Sequence, residues 1–195
     1  MGEGATEAWG PLGDAARHLD AAQLAAGFEK LPALPADEGR LAVIVLRRPD
    51  GERETPGSVR LDTETGVPGD GWSRRPPRKP EAQLAVMCCP LAELIANGQP
   101  LTLFGDNLFV DLDLSAANLP AGSRLRVGEA VVEMTPEPHD GCLKFKQRFG
   151  QDALRFVQSK ATRHQNLRGV YWRVVESGEV RVGSPVRVLS RGGTP

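Results

Sequence analysis

The stretch PHDGCLKFKQRFG (138–150) places one cysteine, Cys142, directly after a glycine and three residues after His139, and follows it with Lys144, Lys146 and Arg148. The thiolate is the reactive and metal-ligating form of cysteine, and cations close by favour it over the thiol. Two chemistries suit such a group: a nucleophilic or sulfur-carrying thiolate, and a soft ligand to a metal. A third reading stands beside them with equal weight. Cysteine is among the most buried residue types, so Cys142 also reads as a small core residue.

The other candidates are weaker. Cys88 and Cys89 end an apolar run, AQLAVMCC (82–89), and read as core and edge residues. A zinc site built from them with Cys142 and His139 has none of the usual ligand spacings. His18 reads as a surface residue of a helix, and His164, in KATRHQNLRG, as a loop residue with an anion within its reach. The chain contains no phosphate loop of the G-x-x-x-x-G-K-[ST] type, no G-x-G-x-x-G and no G-x-S-x-G. A Cys-His hydrolase would need a third group to orient the base, and nothing in the sequence marks one.

Charge is segregated along the chain. The net charge is −1, yet residues 142–173 hold eight Lys or Arg against one acid, Asp152. A basic segment in a nearly neutral protein suits a small anionic ligand better than nucleic acid, which would also need exposed aromatic residues to stack on bases. Three cysteines, two of them adjacent, are no disulfide framework and suit a reducing compartment. The acidic N-terminus, MGEGATEAWG, has no apolar core of a signal sequence, and no apolar run reaches the length of a membrane span. The expectation is a cytoplasmic protein with no membrane and no nucleic-acid partner.

These residues need elements to position them. At 195 residues the chain suffices for one core, and 22 Gly and 16 Pro with few aromatics point to short strands and many turns. Residues 14–30 read as an Ala-rich helix capped by Asp14, within an N-terminal helical extension and linker over 1–39. From Leu41 the runs LAVIVLRR (41–48), SVRLD (58–62), AQLAVMCC (82–89) and PVRVL (185–189) read as strands, and LTLFGDNLFVDLDL (101–114) holds alternating apolar positions around a Gly-Asp-Asn interruption. SRRPPRKP (73–80) is a basic loop, since three prolines bar a central strand. PLAELIANG starts a short helix with Pro90 and stops it at Gly98. SRLRVGEAVVEMT (123–135) reads as a hairpin turning at Gly128-Glu129, YWRVVESGEVRVG (171–183) as a second around Ser177-Gly178, and QDALRFVQSKA (151–161) as a helix. The fold class that follows is mainly β, a barrel or closed sheet with a few peripheral helices.

Taken in order, FGDNL (104–108), RLRVGEAVVEMT (124–135), PHDGCLKFKQRFG (138–150) and LRGVYWRVVESGEVRVGSPVRV (167–188) resemble a MOSC domain. This is the module found at the C-terminus of molybdenum cofactor sulfurases, in mitochondrial amidoxime-reducing enzymes and in many short bacterial proteins. The resemblance covers residues 40–190, leaves 191–195 as a C-terminal tail, and is most specific at the cysteine stretch. It implies a β-barrel-like fold and a molybdopterin-type cofactor. It also implies that Cys142 is either a thiolate ligand to molybdenum or the carrier of a persulfide sulfur. By the same resemblance Lys144, Arg148, Arg163 and Arg168 are candidates for the cofactor's phosphate, with His139 beside them and Asn107 as a neutral hydrogen-bonding group on the rim. The reaction implied is reduction of N-hydroxylated compounds, with a separate electron-donor or sulfur-donor protein as partner. The rival readings are a non-catalytic module that binds or delivers an anionic cofactor, and a metal-free sulfurtransferase-like thiol protein.

The sequence departs from the family pattern twice. Asp106 replaces a Glu in FGDNL. After Gly69-Asp70, GWSRRPPRKPEAQLA lacks the His-Gly-Gly segment of larger bacterial members, and Arg74, Arg75, Arg78 and Lys79 are the cations available there instead.

Overall fold

The runs from Leu41 onward become strands whose apolar positions close on a common interior. The computed structural model describes residues 10–193, so the first nine residues of the extension and the last two of the tail lie outside the described residues. The strands are β1 (Glu38–Ile44), β2 (Leu46–Arg47), β3 (Arg53–Glu54), β4 (Ser58–Leu61), β5 (Leu84–Cys88) and β6 (Leu108–Val110). They continue with β7 (Arg124–Val127), β8 (Ala130–Met134), β9 (Val170–Glu176), β10 (Gly178–Arg181) and β11 (Pro185–Ser190). Among the described residues five α-helices accompany them: α1 (Ala21–Phe28), α2 (Gly71–Arg74), α3 (Cys89–Ala96), α4 (Leu143–Phe149) and α5 (Gln151–Val157).

Seven strands form a closed barrel in the order β1-β11-β7-β8-β9-β5-β6, and β6 pairs back onto β1. All its pairs are antiparallel except β5 with β6. A parallel pair needs a crossover, and α3 lies in the connection between these two strands. Closure leaves no open edge among the seven. β5 and β6 are buried at every position, so helices cover their outer face, whereas β7 alternates exposed and buried residues. Trp172, Phe109, Phe149, Leu84 and Met87 are among the largest fully buried side chains. Burying each contributes about 1.5–3 kcal/mol before conformational entropy is subtracted.

Four elements differ from the sequence reading. Residues 14–30 are not one helix: Asp14 caps a 3-10 turn (Ala15–Arg17), the chain extends at His18, and Asp20 starts α1 through a capping box with Gln23. The second cap competes with continuation and wins, because it satisfies two backbone N–H groups at once. In 101–114 only β6 is a strand, preceded by a 3-10 turn at Leu101–Leu103. The helix expected over 151–161 ends at Val157, and Lys160–Gln165 continue as a 3-10 turn. Finally, β9 and β10 are not a hairpin. At Ser177, whose hydroxyl bonds the Thr63 amide, the chain leaves the barrel and β10 pairs with β4. The turn at Gly128 is as expected, with φ +54°.

The N-terminal segment packs on the barrel's helices. Leu24 is fully buried, Phe28 meets Phe156 edge to face at 5.6 Å, and Gly27 is so close to Leu94 that a Cβ there would lie 2.3 Å from its Cδ1. Among the described residues no helix is long and apolar enough to cross a membrane.

Candidate functional site

The loop after β8 is pinned at both ends. Thr135 donates its hydroxyl hydrogen to the Glu81 carbonyl at 2.6 Å, and the Gly141 carbonyl accepts from Gln158 Nε2 at 2.7 Å. Cys142 follows in an extended conformation and begins α4, a helix that the sequence reading did not separate from the loop. α4 turns Phe145 and Phe149 inward onto Phe104, with the Phe104 and Phe149 rings stacked at 4.1 Å. That packing fixes the rotation of the helix. Lys144 and Arg148, four residues apart, then share the face that looks into a cleft, whereas Lys146 is exposed and outside it.

The cleft encloses about 560 Å3. Cys142, Lys144 and Arg148 form one side, and Arg47, Arg53 and Arg75 come from β2, β3 and the residue after α2. Arg168, His139 and Tyr171 close the inner wall. Six cationic side chains thus face two lining carboxylates, Asp50 and Asp140, and Asp140 is engaged by Arg163 at 3.0 Å. Burial, then the charges of Arg148 and Arg75, pull the Lys144 ammonium below its ordinary value, and Cys142 is among the charges it senses. Of the three free cysteines Cys142 alone is exposed. Burial pushes the Cys88 and Cys89 thiols up to about 11 and about 12, which makes them inert. Among the described residues no group of three or more His, Cys, Asp or Glu is arranged to hold a metal.

Two buried acids hold the walls. Asp70 is 1% exposed and accepts from the Arg47 amide at 2.8 Å, from Arg47 Nε at 3.1 Å and from the Trp72 amide at 3.0 Å. Burial pushes its carboxyl up, but the Arg47 hydrogen bonds and charge with those amides reverse this and leave it at about 2. Asp106, fully buried, receives Arg168 Nη1 at 2.9 and 3.0 Å. Its second neighbour is His139, whose Nδ1 lies 3.6 Å away. Burial lifts the Asp106 carboxyl further than Arg168 pulls it back. The His139 ring lies tilted against Tyr171, with centroids 4.3 Å apart, and its imidazole is held well below its ordinary 6.5 by burial, then by Arg168 and Arg47, so it is neutral.

The structure therefore brings together Cys142, His139, Lys144, Arg148 and Arg168. It leaves two candidates elsewhere. Asn107 is buried beneath the cleft, away from any rim: its Oδ1 accepts from the Ala85 amide and Arg47, and its Nδ2 points to the Val45 carbonyl. Being able to donate and accept at once, it ties Val45, just before β2, and Arg47 of β2 to Ala85 of β5. Arg163 is outside the cleft, on Asp140. His18 also has a role beyond the surface, with its Nε2 3.2 Å from the Arg148 carbonyl. Of the cations after Gly69-Asp70, Arg75 alone lines the cleft. Arg74 donates to the Gly69 and Arg47 carbonyls, Arg78 lies over Trp72, and Lys79 pairs with Glu137. Arg47 and Arg53 were missed by the sequence reading. Their signal was faint: arginines bracketing the turn PDGE.

Comparison with known proteins follows the same lines. The MOSC domain family model matches residues 81–187, which include the cysteine stretch and the three inner-wall residues His139, Arg168 and Tyr171. The uncharacterized protein YflK of Bacillus subtilis (strain 168) is 36% identical over 91 residues, which is 46% of this chain and 38% of YflK. The match thus spans well under half of that relative. Among solved structures, YiiM from Escherichia coli aligns over 80% of this chain and 72% of its own, with a TM-score of 0.54 and 23% identity. The YUAD protein from Bacillus subtilis aligns over 80% and 97%, with a TM-score of 0.57 and 18% identity, a likeness of fold. With more than half of its length matched by the family model and its barrel shared with these structures, the chain belongs to the MOSC domain family.

Proposed function

We propose that the cleft binds a phosphate-bearing, molybdopterin-type cofactor, with the Cys142 thiolate as a ligand to its molybdenum. The observation that carries this reading is an exposed thiol at the mouth of a cleft lined by six cationic side chains. The donor set suits such a group. A thiolate is a soft donor, as a metal already held by sulfur accepts, and guanidinium groups match phosphate. Arg53 Nε is buried with no partner among the described residues, a donor awaiting an acceptor. Bound, the cofactor supplies oxygen-atom and two-electron chemistry at its metal.

The chain's own residues bind and orient. Arg53, Arg75, Lys144 and Arg148 balance the ligand's charge, and Asp70 and Asp106 hold Arg47 and Arg168 in the wall. Neutral His139 adds a polar surface without adding charge. Reduction of N-hydroxylated compounds is the reaction class that fits the family. Electrons would come from a separate donor protein, because Cys88 and Cys89 are buried and inert. A reducing, cytoplasmic setting would keep Cys142 out of disulfides.

Exposure of Cys142 favours a second reading as well. A sulfur-donor protein has to reach Cys142 to leave a persulfide there, and Cys142 is exposed. The discriminating test uses protein purified from a host that makes the cofactor. Acid oxidation should release a fluorescent pterin from the wild type and much less from Arg75→Gln/Lys144→Gln. Protein without pterin that instead yields thiocyanate with cyanide would transfer Cys142 to sulfur carriage. Pterin held equally by Cys142→Ser would make the protein a binding module.

A further inference from the structure

A second cavity, of about 430 Å3, shares no lining residue with the basic cleft. Small-molecule sites run from about 300 to about 1,000 Å3. Phe28, at the end of α1, and Leu31 and Leu34, in the linker after it, form one apolar wall. Leu91 of α3, Leu114 after β6 and Leu167 before β9 form the others. Hydrogen bonds brace these walls. The Asp113 amide donates to the Pro35 carbonyl at 3.0 Å and Asn118 Nδ2 to the Ala36 carbonyl at 2.9 Å, which fastens the linker to the segment after β6. The Ala116 amide donates to the His164 carbonyl, and Asn166 Nδ2 to the Leu114 carbonyl, at 2.8 Å each. A ligand entering a braced cavity has little chain to order.

The charge of this cavity is opposite to that of the cleft. Asp113 is the one carboxylate among its lining residues, and no Lys or Arg lines it. Asp113 takes part in no ion pair among the described residues. Its Oδ1 accepts from the Ser115 amide at 2.8 Å and its Oδ2 from the Ser115 hydroxyl at 3.1 Å. Those bonds fill two of about four acceptor positions on a carboxylate and fix its orientation. The bond from Ala116 to His164 sets this turn beside Gln165, another lining residue, whose buried Oε1 has no partner among the described residues. The lining Cys88 thiol senses the same negative field: burial first, then the charges of Asp111, Asp113 and Glu93, push it up to about 11.

We propose that this cavity is a second ligand site, for a small organic cation with an apolar body, of the class of a primary arylalkylamine. The ammonium group would sit on Asp113 and Gln165, and the apolar body against Phe28, Leu91 and Leu114. An ammonium carries three N–H donors and no acceptor, which matches a wall that offers acceptors. An anion of the kind that the basic cleft attracts is repelled here by Asp113. The site also gives the N-terminal extension a part in binding, because α1 and its linker form one wall.

The test is calorimetric titration of the full chain with 2-phenylethylamine and, as its uncharged counterpart, 2-phenylethanol. Wild type should bind the amine saturably at one site and about tenfold or more tightly than the alcohol, as a charge-assisted contact implies. Asp113→Asn keeps the shape of the side chain and should remove that preference, weakening the amine about tenfold and leaving the alcohol unchanged. Gln165→Leu should weaken the amine by a smaller factor, about fivefold. Ala117→Trp fills the cavity from an exposed lining position and should block both ligands, while thermal unfolding stays at the wild-type temperature. No saturable binding of the amine by the wild type overturns the site. Equal affinity for amine and alcohol, or wild-type amine affinity in Asp113→Asn, overturns the role of the carboxylate. Amine binding that survives Ala117→Trp places the ligand elsewhere and overturns the cavity as its site. Molybdenum and pterin content decide the reading of the cleft separately.

Discussion

Cys142 and its two fellow cysteines differ in surroundings far more than in sequence. Cys88 and Cys89 are inert through burial, while Cys142 stands exposed among cations. Iodoacetamide applied to the folded protein at neutral pH should therefore alkylate Cys142 alone, as peptide mass mapping will read; native labelling of Cys88 or Cys89 would contradict this. His139 gives a second prediction. Its folded-state pKa lies well below 6.5, because burial, Arg168 and Arg47 all oppose the imidazolium. The unfolded chain takes up this proton near 6.5 and the folded chain does not. Stability from this group is thus fully present above about pH 6.5 and falls as pH drops below it, by at most about 1.4 kcal/mol per pH unit. Unfolding temperatures measured from about pH 7 to about pH 5 should fall less steeply in His139→Gln. Parallel curves for the two proteins would show that His139 protonates without cost. At this scale the cysteine stretch was legible in the sequence because its meaning is local: the cations that face Cys142 from α4 lie within six residues of it. Arg163, equally close to the basic run, was misplaced, because a nearby carboxylate, Asp140, captures it outside the cleft.

Elements were legible where one signal acted alone. Pro90 at the start of α3 and Asn97 in the left-handed region at its end, φ +46°, bound that helix much as the sequence suggested. Gly128 did the same for the β7–β8 turn. Elements were lost where two local signals competed or where pairing was non-local. The N-terminal helix was read from Asp14 because helical spacing runs through 14–30, yet the Asp20–Gln23 box resets the start. The β9–β10 pair looked like a hairpin because Ser177-Gly178 is good turn chemistry. The Ser177 hydroxyl instead joins the Thr63 amide, and Gly178 lies so close to the Glu129 carbonyl carbon that a Cβ would be 2.5 Å away. The α1 cap has a measurable consequence. Asp20→Ala removes one acceptor from the helix start and should cost about 1 kcal/mol in denaturant unfolding. A wild-type midpoint would mean that docking of Leu24 and Phe28 holds α1 without its cap.

On the scale of the whole molecule, the site is a product of barrel closure. Arg47 and Arg53 arrive from the strands flanking one turn, Arg75 from the end of α2, the Cys142 segment from the loop after β8, and Arg168 from just before β9. No spacing rule joins positions 47, 53 and 148. Their convergence follows from β6 pairing with β1 and from Asp70 and Asn107 tying Arg47 to the barrel wall. The basic segment at 142–173 raised the expectation of an anionic ligand, yet it named only three of the six cations that line the cleft, Lys144, Arg148 and Arg168. The central claim is that this assembled cleft presents Cys142 to the molybdenum of a bound cofactor. The most direct measurement is molybdenum content by mass spectrometry in wild type and Cys142→Ser, purified side by side from one cofactor-producing host. The account predicts stoichiometric molybdenum in the wild type and its loss in the variant. Molybdenum absent from the wild type, or retained in full by the variant, would contradict it.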